Sequence, residues 1–158
     1  MKHLQYMSKY NFEQLVYCYD RGVGLRAIIA IHDTTLGPSL GGIRMRPYAT
    51  EDEAVLDVLR LSRAMTYKAA VAGLPLGGGK AVIIGNPATD KTEALFRSMG
   101  RYVESLGGRY IATEDVGITV RDIEWVSQET DHAVGLPMSQ GGSGDSSPPT
   151  AFGILQAM

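Results

Sequence analysis

One cysteine and one tryptophan stand among the 158 residues. The lone Cys18 excludes an internal disulfide; it sits in the apolar run Leu15-Val16-Tyr17-Cys18 and reads as a buried thiol. His3, His32 and His132 are scattered, without metal-ligand spacing and without a second cysteine, so no metal centre is expected. No apolar run is long enough to span a bilayer. Met1-Lys2-His3 is not followed by the uninterrupted apolar stretch of a secretion signal. Charge of one sign is lacking too. A formal net charge of −2 gives no reason to expect nucleic acid or an anionic membrane as a partner. The cytoplasm is the expected location.

Nucleotide motifs are also missing. A phosphate loop ending in Gly79-Lys80 would need glycine at Leu74 and a metal-binding hydroxyl at Ala81. No G-x-G-x-x-G follows a strand and opens a helix; Gly22-Val23-Gly24 leads into a strand instead. No serine sits in a nucleophile elbow.

What is present suits one folded domain: 44% hydrophobic residues in a chain long enough to bury a core. Residues 1–15 read as a short amphipathic helix and connector. Val16–Tyr19 and Arg26–His32 read as two strands joined as a hairpin across Gly22 and Gly24, the second apolar on both faces as a covered strand would be. Residues 33–42 read as a loop closing on Leu40-Gly41-Gly42. Ile43–Arg46 alternates like a strand with one wet face.

Thr50–Ala72 is the clearest helix. Thr50 and Glu53 form a capping-box pattern, and Glu51 and Asp52 suit the positive end of the helix dipole. Val55, Val58, Leu59, Ser62, Met65 and Ala69 follow helical spacing, and Leu61, Met65 and Lys68 share a side. Gly73, Pro75 and Gly77-Gly78-Gly79 then break the helix. The glycine run reads as a turn that carries Lys80 into a short strand, Ala81–Ile84. Bare turn backbone beside two cations would suit a small carboxylate or carbonyl ligand.

A helix follows from about Asp90 to Leu106, then a strand, Arg109–Thr113, that runs into Glu114 and Asp115. Thr119 caps a helix to about Glu129. Residues 135–149, rich in Gly, Ser and Pro, read as a loop or linker, and Thr150–Met158 as the opening of a helix. Alternating strands and helices make the chain α/β, with a partly parallel sheet after an antiparallel start.

Lys68, Lys80 and Asp115 are the candidate chemistry. The ordinary fate of a lysine is a solvated surface, and an aspartate after a strand is often a turn cap. Against that, both lysines lie in apolar or glycine-rich context, where desolvation or mutual repulsion would let one act as a base. Asp115 lies where open α/β sheets place ligands, beyond the carboxyl end of a strand.

Several ordered runs together point further: Ala27–Pro38, Leu40-Gly41-Gly42, Met65-Thr66-Tyr67-Lys68, Gly77-Gly78-Gly79-Lys80, Glu114-Asp115-Val116-Gly117 and Thr150-Ala151-Phe152-Gly153. Over almost its whole length the chain resembles the N-terminal, substrate-binding and dimerisation domain of the glutamate/leucine/phenylalanine/valine dehydrogenases, most closely the leucine branch. The resemblance implies a mixed sheet flanked by helices, and NAD-dependent oxidative deamination of an L-amino acid to a 2-oxo acid and ammonia. By it Lys68 would bind the α-carboxylate, Lys80 would activate water, and Asp115 would exchange a proton with the amine.

Leu40 stands where the glutamate-specific branch has a lysine for the side-chain carboxylate. A leucine cannot pair a buried charge. The expected pocket is therefore apolar, with Leu40, Gly41, Gly42 and Met65 in contact with the substrate. Residues 1–149 would be the substrate-binding and oligomerisation domain, and 150–158 the start of the helix leading to a missing cofactor domain. Thr150 would lie near the nicotinamide ring. The expectations are a homo-oligomer, no turnover by these residues alone, and no nucleic-acid or membrane partner. The competing reading is a stand-alone module that binds an amino acid or 2-oxo acid, or that serves oligomerisation.

Overall fold

The strands are β1 (Gln14–Asp20), β2 (Leu25–Asp33), β3 (Ser39–Arg46), β4 (Gly77–Ile84) and β5 (Tyr110–Glu114). The helices are α1 (His3–Tyr10), α2 (Glu51–Val71), α3 (Glu93–Glu104), α4 (Val120–Ser127) and α5 (Ser147–Ala157). In the computed structural model, which describes residues 2–158, the strands form one sheet in the order β1-β2-β4-β3-β5. β1 and β2 form the antiparallel hairpin read from the sequence, and β2 is also antiparallel to β4. β3 lies parallel to both β4 and β5.

Alternation along the central strands divides the core between two faces. Ile28, Ala30 and Val82 face α2, meeting Ala54, Val55, Val58 and Leu59. Ile29, Ile31, Ile43, Met45, Ala81 and Ile83 face the other way, toward Phe96, Met99 and Val103 of α3 and Ile123 and Val126 of α4. Each such large apolar side chain contributes roughly 1.5–3 kcal/mol on burial. The sheet therefore has a helical layer on both sides, which is the α/β arrangement expected.

Several boundaries differ from the sequence reading. The loop over 33–42 ends earlier, because β3 begins at Ser39 and carries Leu40, Gly41 and Gly42 within it. Glycine is a poor strand former in isolation, but here β4 and β5 flank β3 and hold its backbone from both sides. For the same reason Gly77-Gly78-Gly79 is no turn but the buried first half of β4, so the bare backbone expected beside the lysines does not exist. The alternation expected over Ile43–Arg46 is kept: Ile43 and Met45 are buried, while Arg44 and Arg46 are half-buried and ion-paired. The helix expected from Asp90 starts at Glu93 with Thr92 as its cap, since Asp90 is used in the preceding turn, accepting from the Asn86 amide.

Caps fix the remaining ends. Thr50 accepts from the Glu53 amide as expected, but the box is only half made. The Glu53 carboxylate instead accepts from Arg46 at 2.6 Å and from the Ala49 amide at 3.0 Å. The full reciprocal box is at Thr119 and Asp122, starting α4, which ends at Ser127. The stretch read as a linker holds a single 3₁₀ turn, Met138–Gln140, and α5 opens at Ser147, ahead of Thr150. No residue of α5 is buried.

Candidate active site

Lys80, Arg44 and Asp115 meet on the α2 face of the sheet. The register between β3 and β4 pairs Leu40 with Gly78 and Ile43 with Ala81, which sets Gly42 opposite Lys80. On the other side Ile43 pairs with Glu114, so Asp115 follows directly beyond the carboxyl end of β5, level with Arg44. Gly42 makes this convergence possible. A Cβ there would lie 2.6 Å from the Asp115 Cβ and 2.6 Å from the Glu114 carbonyl oxygen.

The geometry is a chain of charges. Lys80 Nζ lies 2.9 Å from Asp115 Oδ2, and Arg44 Nε donates to the same oxygen at 2.8 Å. Arg44 also donates to Asp57 Oδ2 at 3.2 Å, and Tyr48 donates its hydroxyl to that oxygen at 2.8 Å. The Lys80 side chain is only 6% exposed and that of Asp115 is 23% exposed. Burial pushes the Lys80 ammonium below its ordinary pKa, and the attraction of Asp115 only partly offsets it. For Asp115 burial acts upward, but Lys80 and Arg44 together outweigh it and hold the carboxyl below its ordinary value. A lysine predisposed to lose its proton thus touches a carboxylate predisposed to stay charged.

α2 forms the second wall. Asp57, Leu61, Met65 and Lys68 fall at helical spacing along one flank. That flank is held close to the sheet because Gly78 has no side chain: a Cβ there would lie 2.2 Å from the Thr66 amide nitrogen and 2.4 Å from the Ser62 carbonyl oxygen. Leu40 and Met65 are half-buried. Lys68, in the last turn, is exposed, which corrects the expectation of a buried charge in an apolar context. The helix end projects beyond the sheet's cover, and among the described residues Lys68 has no hydrogen-bond or ion-pair partner.

The other candidates fall as follows. Gly41 is buried: Gly79 fills the space of its missing Cβ, and Tyr110 donates its hydroxyl to the Gly41 carbonyl at 2.7 Å. Thr150 is exposed in the first turn of α5 and donates its hydroxyl to the Ser146 carbonyl at 2.8 Å. Glu114 ties that helix start to the sheet, accepting from the Ser146 hydroxyl at 2.6 Å.

Arg44, Asp57 and Tyr48 were missed in the sequence. The signal was thin: an arginine inside an otherwise buried strand and an acid on the flank shared with Leu61 and Met65. Neither has meaning until strand and helix are laid side by side.

Groups outside the cluster are structural. Cys18 is buried, and burial pushes its thiol up to about 12. His32 bonds to Thr66 Oγ1 at 2.8 Å and to the Tyr10 carbonyl at 3.0 Å, and burial lowers its pKa. Among the described residues no cluster of His, Cys, Asp and Glu could hold a metal, and no helix is long and apolar enough to cross a membrane. A groove of about 350 Å³ between α1 and α2, lined by Tyr6, Tyr10, Arg60, Arg63 and Tyr67, contains none of the site residues.

A mixed sheet flanked by helices, with a buried lysine paired to a half-buried aspartate beside the α2 flank, defines an α/β domain. Residues 14–132 match the family described as Glu/Leu/Phe/Val dehydrogenase, dimerisation domain, and the chain belongs to that family. Leucine dehydrogenase of Bacillus subtilis (strain 168) is 56% identical over 158 residues, all of this chain and 43% of that protein. Phenylalanine dehydrogenase of Bacillus thermotolerans is 58% identical over 146 residues, covering 92% of this chain and 38% of that one. The crystal structure of L-tryptophan dehydrogenase from Nostoc punctiforme superposes with a TM-score of 0.80 at 51% identity, over 83% of this chain and 39% of that one. The chain therefore spans less than half the length of these relatives.

Proposed function

We propose that these residues form the amino-acid-binding half of an NAD-dependent dehydrogenase that oxidatively deaminates a leucine-like, apolar L-amino acid to its 2-oxo acid and ammonia. The observation that carries the reading is the pair of buried Lys80 and half-buried Asp115, set beside an α2 flank that ends in Lys68, whose ammonium is unpartnered among the described residues. Lys68 binds the substrate carboxylate. Asp115 takes a proton from the substrate ammonium, leaving a neutral amine whose lone pair would form the C=N bond as hydride passes from the neighbouring Cα to the nicotinamide. Lys80, whose burial favours the neutral amine, takes a proton from the water that adds to the resulting imine carbon. Leu40 and Met65 line the side-chain pocket, with Gly41 and Gly42 forming its floor. Relatives named for leucine, phenylalanine and tryptophan fit an apolar pocket, and Leu40 offers no charge to a glutamate side chain.

The residues present do not fit a dinucleotide. The glycine run that could have cradled phosphates is buried in β4, packed against Thr66 and Tyr110. Of this chain only Thr150 is assigned to the cofactor side, near the nicotinamide, and the phosphate contacts belong to residues outside these 158. Turnover therefore needs more than this chain. Residues 1–149 serve substrate binding and self-association, as the family's description as a dimerisation domain suggests. The helix carrying residues 150–158 leads toward the cofactor-binding part. Its exposed Phe152, Ile154 and Leu155 favour that reading over a stand-alone module, since an unburied apolar helix needs a partner surface.

The test is a panel of leucine, valine, phenylalanine, tryptophan and glutamate with NAD, run on the complete natural gene product and followed by nicotinamide reduction. Turnover is expected on the apolar amino acids, with Leu40→Lys shifting preference toward glutamate. Glutamate as the best substrate of the unaltered enzyme, or no turnover on any, would end this reading.

A further inference from the structure

Both cations of the cluster bind the same atom. Lys80 Nζ and Arg44 Nε converge on Asp115 Oδ2, at 2.9 and 2.8 Å, and among the described residues Oδ1 has no partner. The two are not equivalent. A lysine whose role includes acting as a base must spend part of each cycle neutral, and in that interval it no longer supports the carboxylate. A half-buried aspartate left alone would gain a proton from solvent and cease to be an acceptor. A guanidinium does not deprotonate in proteins and holds a carboxylate at fixed geometry.

Arg44 is itself held. Its other arm donates to Asp57 at 3.2 Å, and Tyr48 fixes that carboxylate from the far side at 2.8 Å. The Arg44 side chain is 18% exposed and that of Asp57 is 24% exposed, so the guanidinium rotates only if both acids release it. Two cations and two anions leave the cluster neutral as a whole. That neutrality lets Arg44 stay buried without drawing the Asp115 charge entirely to itself.

We propose that Arg44, clamped by Asp57, is the positioning residue of this site: it fixes Asp115 with Oδ1 turned outward for the substrate amine and keeps the carboxylate ionised whether Lys80 is charged or neutral. The proton roles rest on the function proposed above; the electrostatic role does not. The charged and titratable groups around Asp115 are Lys80 on β4, Arg44 on β3, Asp57 on α2 with Tyr48 ahead of it, and Tyr110 and Glu114 on its own strand.

Two measurements separate the parts. The first is the carboxyl-carbon NMR titration of Asp115 in this 158-residue chain, in a Lys80→Met background so that Arg44 is the only cation left on Oδ2. The Asp115 midpoint is expected to stay in the acid range with Arg44 present, to move upward in Arg44→Met, and to stay low in Arg44→Lys, which keeps the charge. Equal midpoints for arginine and methionine overturn the proposal. If Arg44→Met does not fold, the lysine variant decides, because a large upward shift there also overturns it.

The second measurement is the pH profile of kcat/KM in the complete gene product. Arg44→Met is expected to move the acid limb to higher pH. Arg44→Lys is expected to leave the limb in place while lowering kcat about 10-fold or more, because the fork that orients Asp115 is gone. A limb unmoved in Arg44→Met overturns the proposal. An unaltered enzyme with no amino-acid turnover removes the proposed function instead, and leaves the titration to decide the role of Arg44.

Discussion

On β4, Lys80 is buried and ion-paired; at the end of α2, Lys68 is exposed and, among the described residues, has no partner. The same side chain meets two different surroundings. Lys80 loses hydration on entering the sheet face, and Asp115 returns only part of that stabilisation, so its neutral form becomes accessible. Lys68 stays open to solvent at the helix end. One lysine is buried against a carboxylate and the other is exposed without one. The distinction lies in the strand and the helix end, not in the residue type.

The largest expected effect comes from removing the buried member. Lys80→Met in the complete enzyme should lower kcat about 1,000-fold, within the range for loss of a general base, while Lys68→Met should spare most of kcat. A burial-lowered lysine also leaves a mark on stability. The unfolded chain binds its proton up to the ordinary value of 10.5, whereas the folded chain releases it earlier. Folding stability therefore gains a contribution as pH rises from the lowered value toward 10.5, and Lys80→Met should flatten that rise in urea titrations of the 158-residue chain. A slope unchanged by the substitution would show that burial does not lower the Lys80 pKa.

Next in size is a change to the joint between the two regions. Gly78→Ala places a methyl group against the backbone at Ser62 and Thr66, where neither neighbour can swing aside. The helix must lift from the strand, at a cost of roughly 2–3 kcal/mol. The urea midpoint should fall accordingly, and the α2 flank should lose its alignment with Lys80. A fully stable Gly78→Ala would mean that α2 does not need its close seat on β4.

The smallest effect on the fold, though not on binding, is expected at the exposed lysine. Lys68→Ala should weaken amino-acid or 2-oxo-acid binding about 10- to 100-fold, the scale of one charge-assisted contact. It should leave stability within about 0.5 kcal/mol, because nothing in the folded chain depends on it. Equal losses of binding and stability would blur the contrast between the two lysines.

Much of this was legible in the amino-acid order. The hairpin β1–β2, the long helix with Thr50 at its start, the strand leading to Asp115 and the Thr119 cap all follow from local signals: apolar period, a capping hydroxyl, a glycine stop. The glycines were read in the wrong setting. Gly41, Gly42 and the run 77–79 have the composition of loops, and local propensity has no means of weighing a neighbour that arrives from 30 or more residues away. The box at Thr50 is half made because Arg46 competes for the Glu53 carboxylate.

The sequence alone determined the element types, the α/β class, the family resemblance, and the choice of Lys68, Lys80 and Asp115 as candidates. Each is carried by residue type and short spacing along the chain. Tertiary structure alone decided which lysine is buried, that the glycine run is strand rather than turn, and that Arg44, Asp57 and Tyr48 complete the charge cluster. Those outcomes depend on desolvation and on charges brought together across strands. Both are properties of the space around a residue, and that space exists only after β3, β4, β5 and α2 have packed.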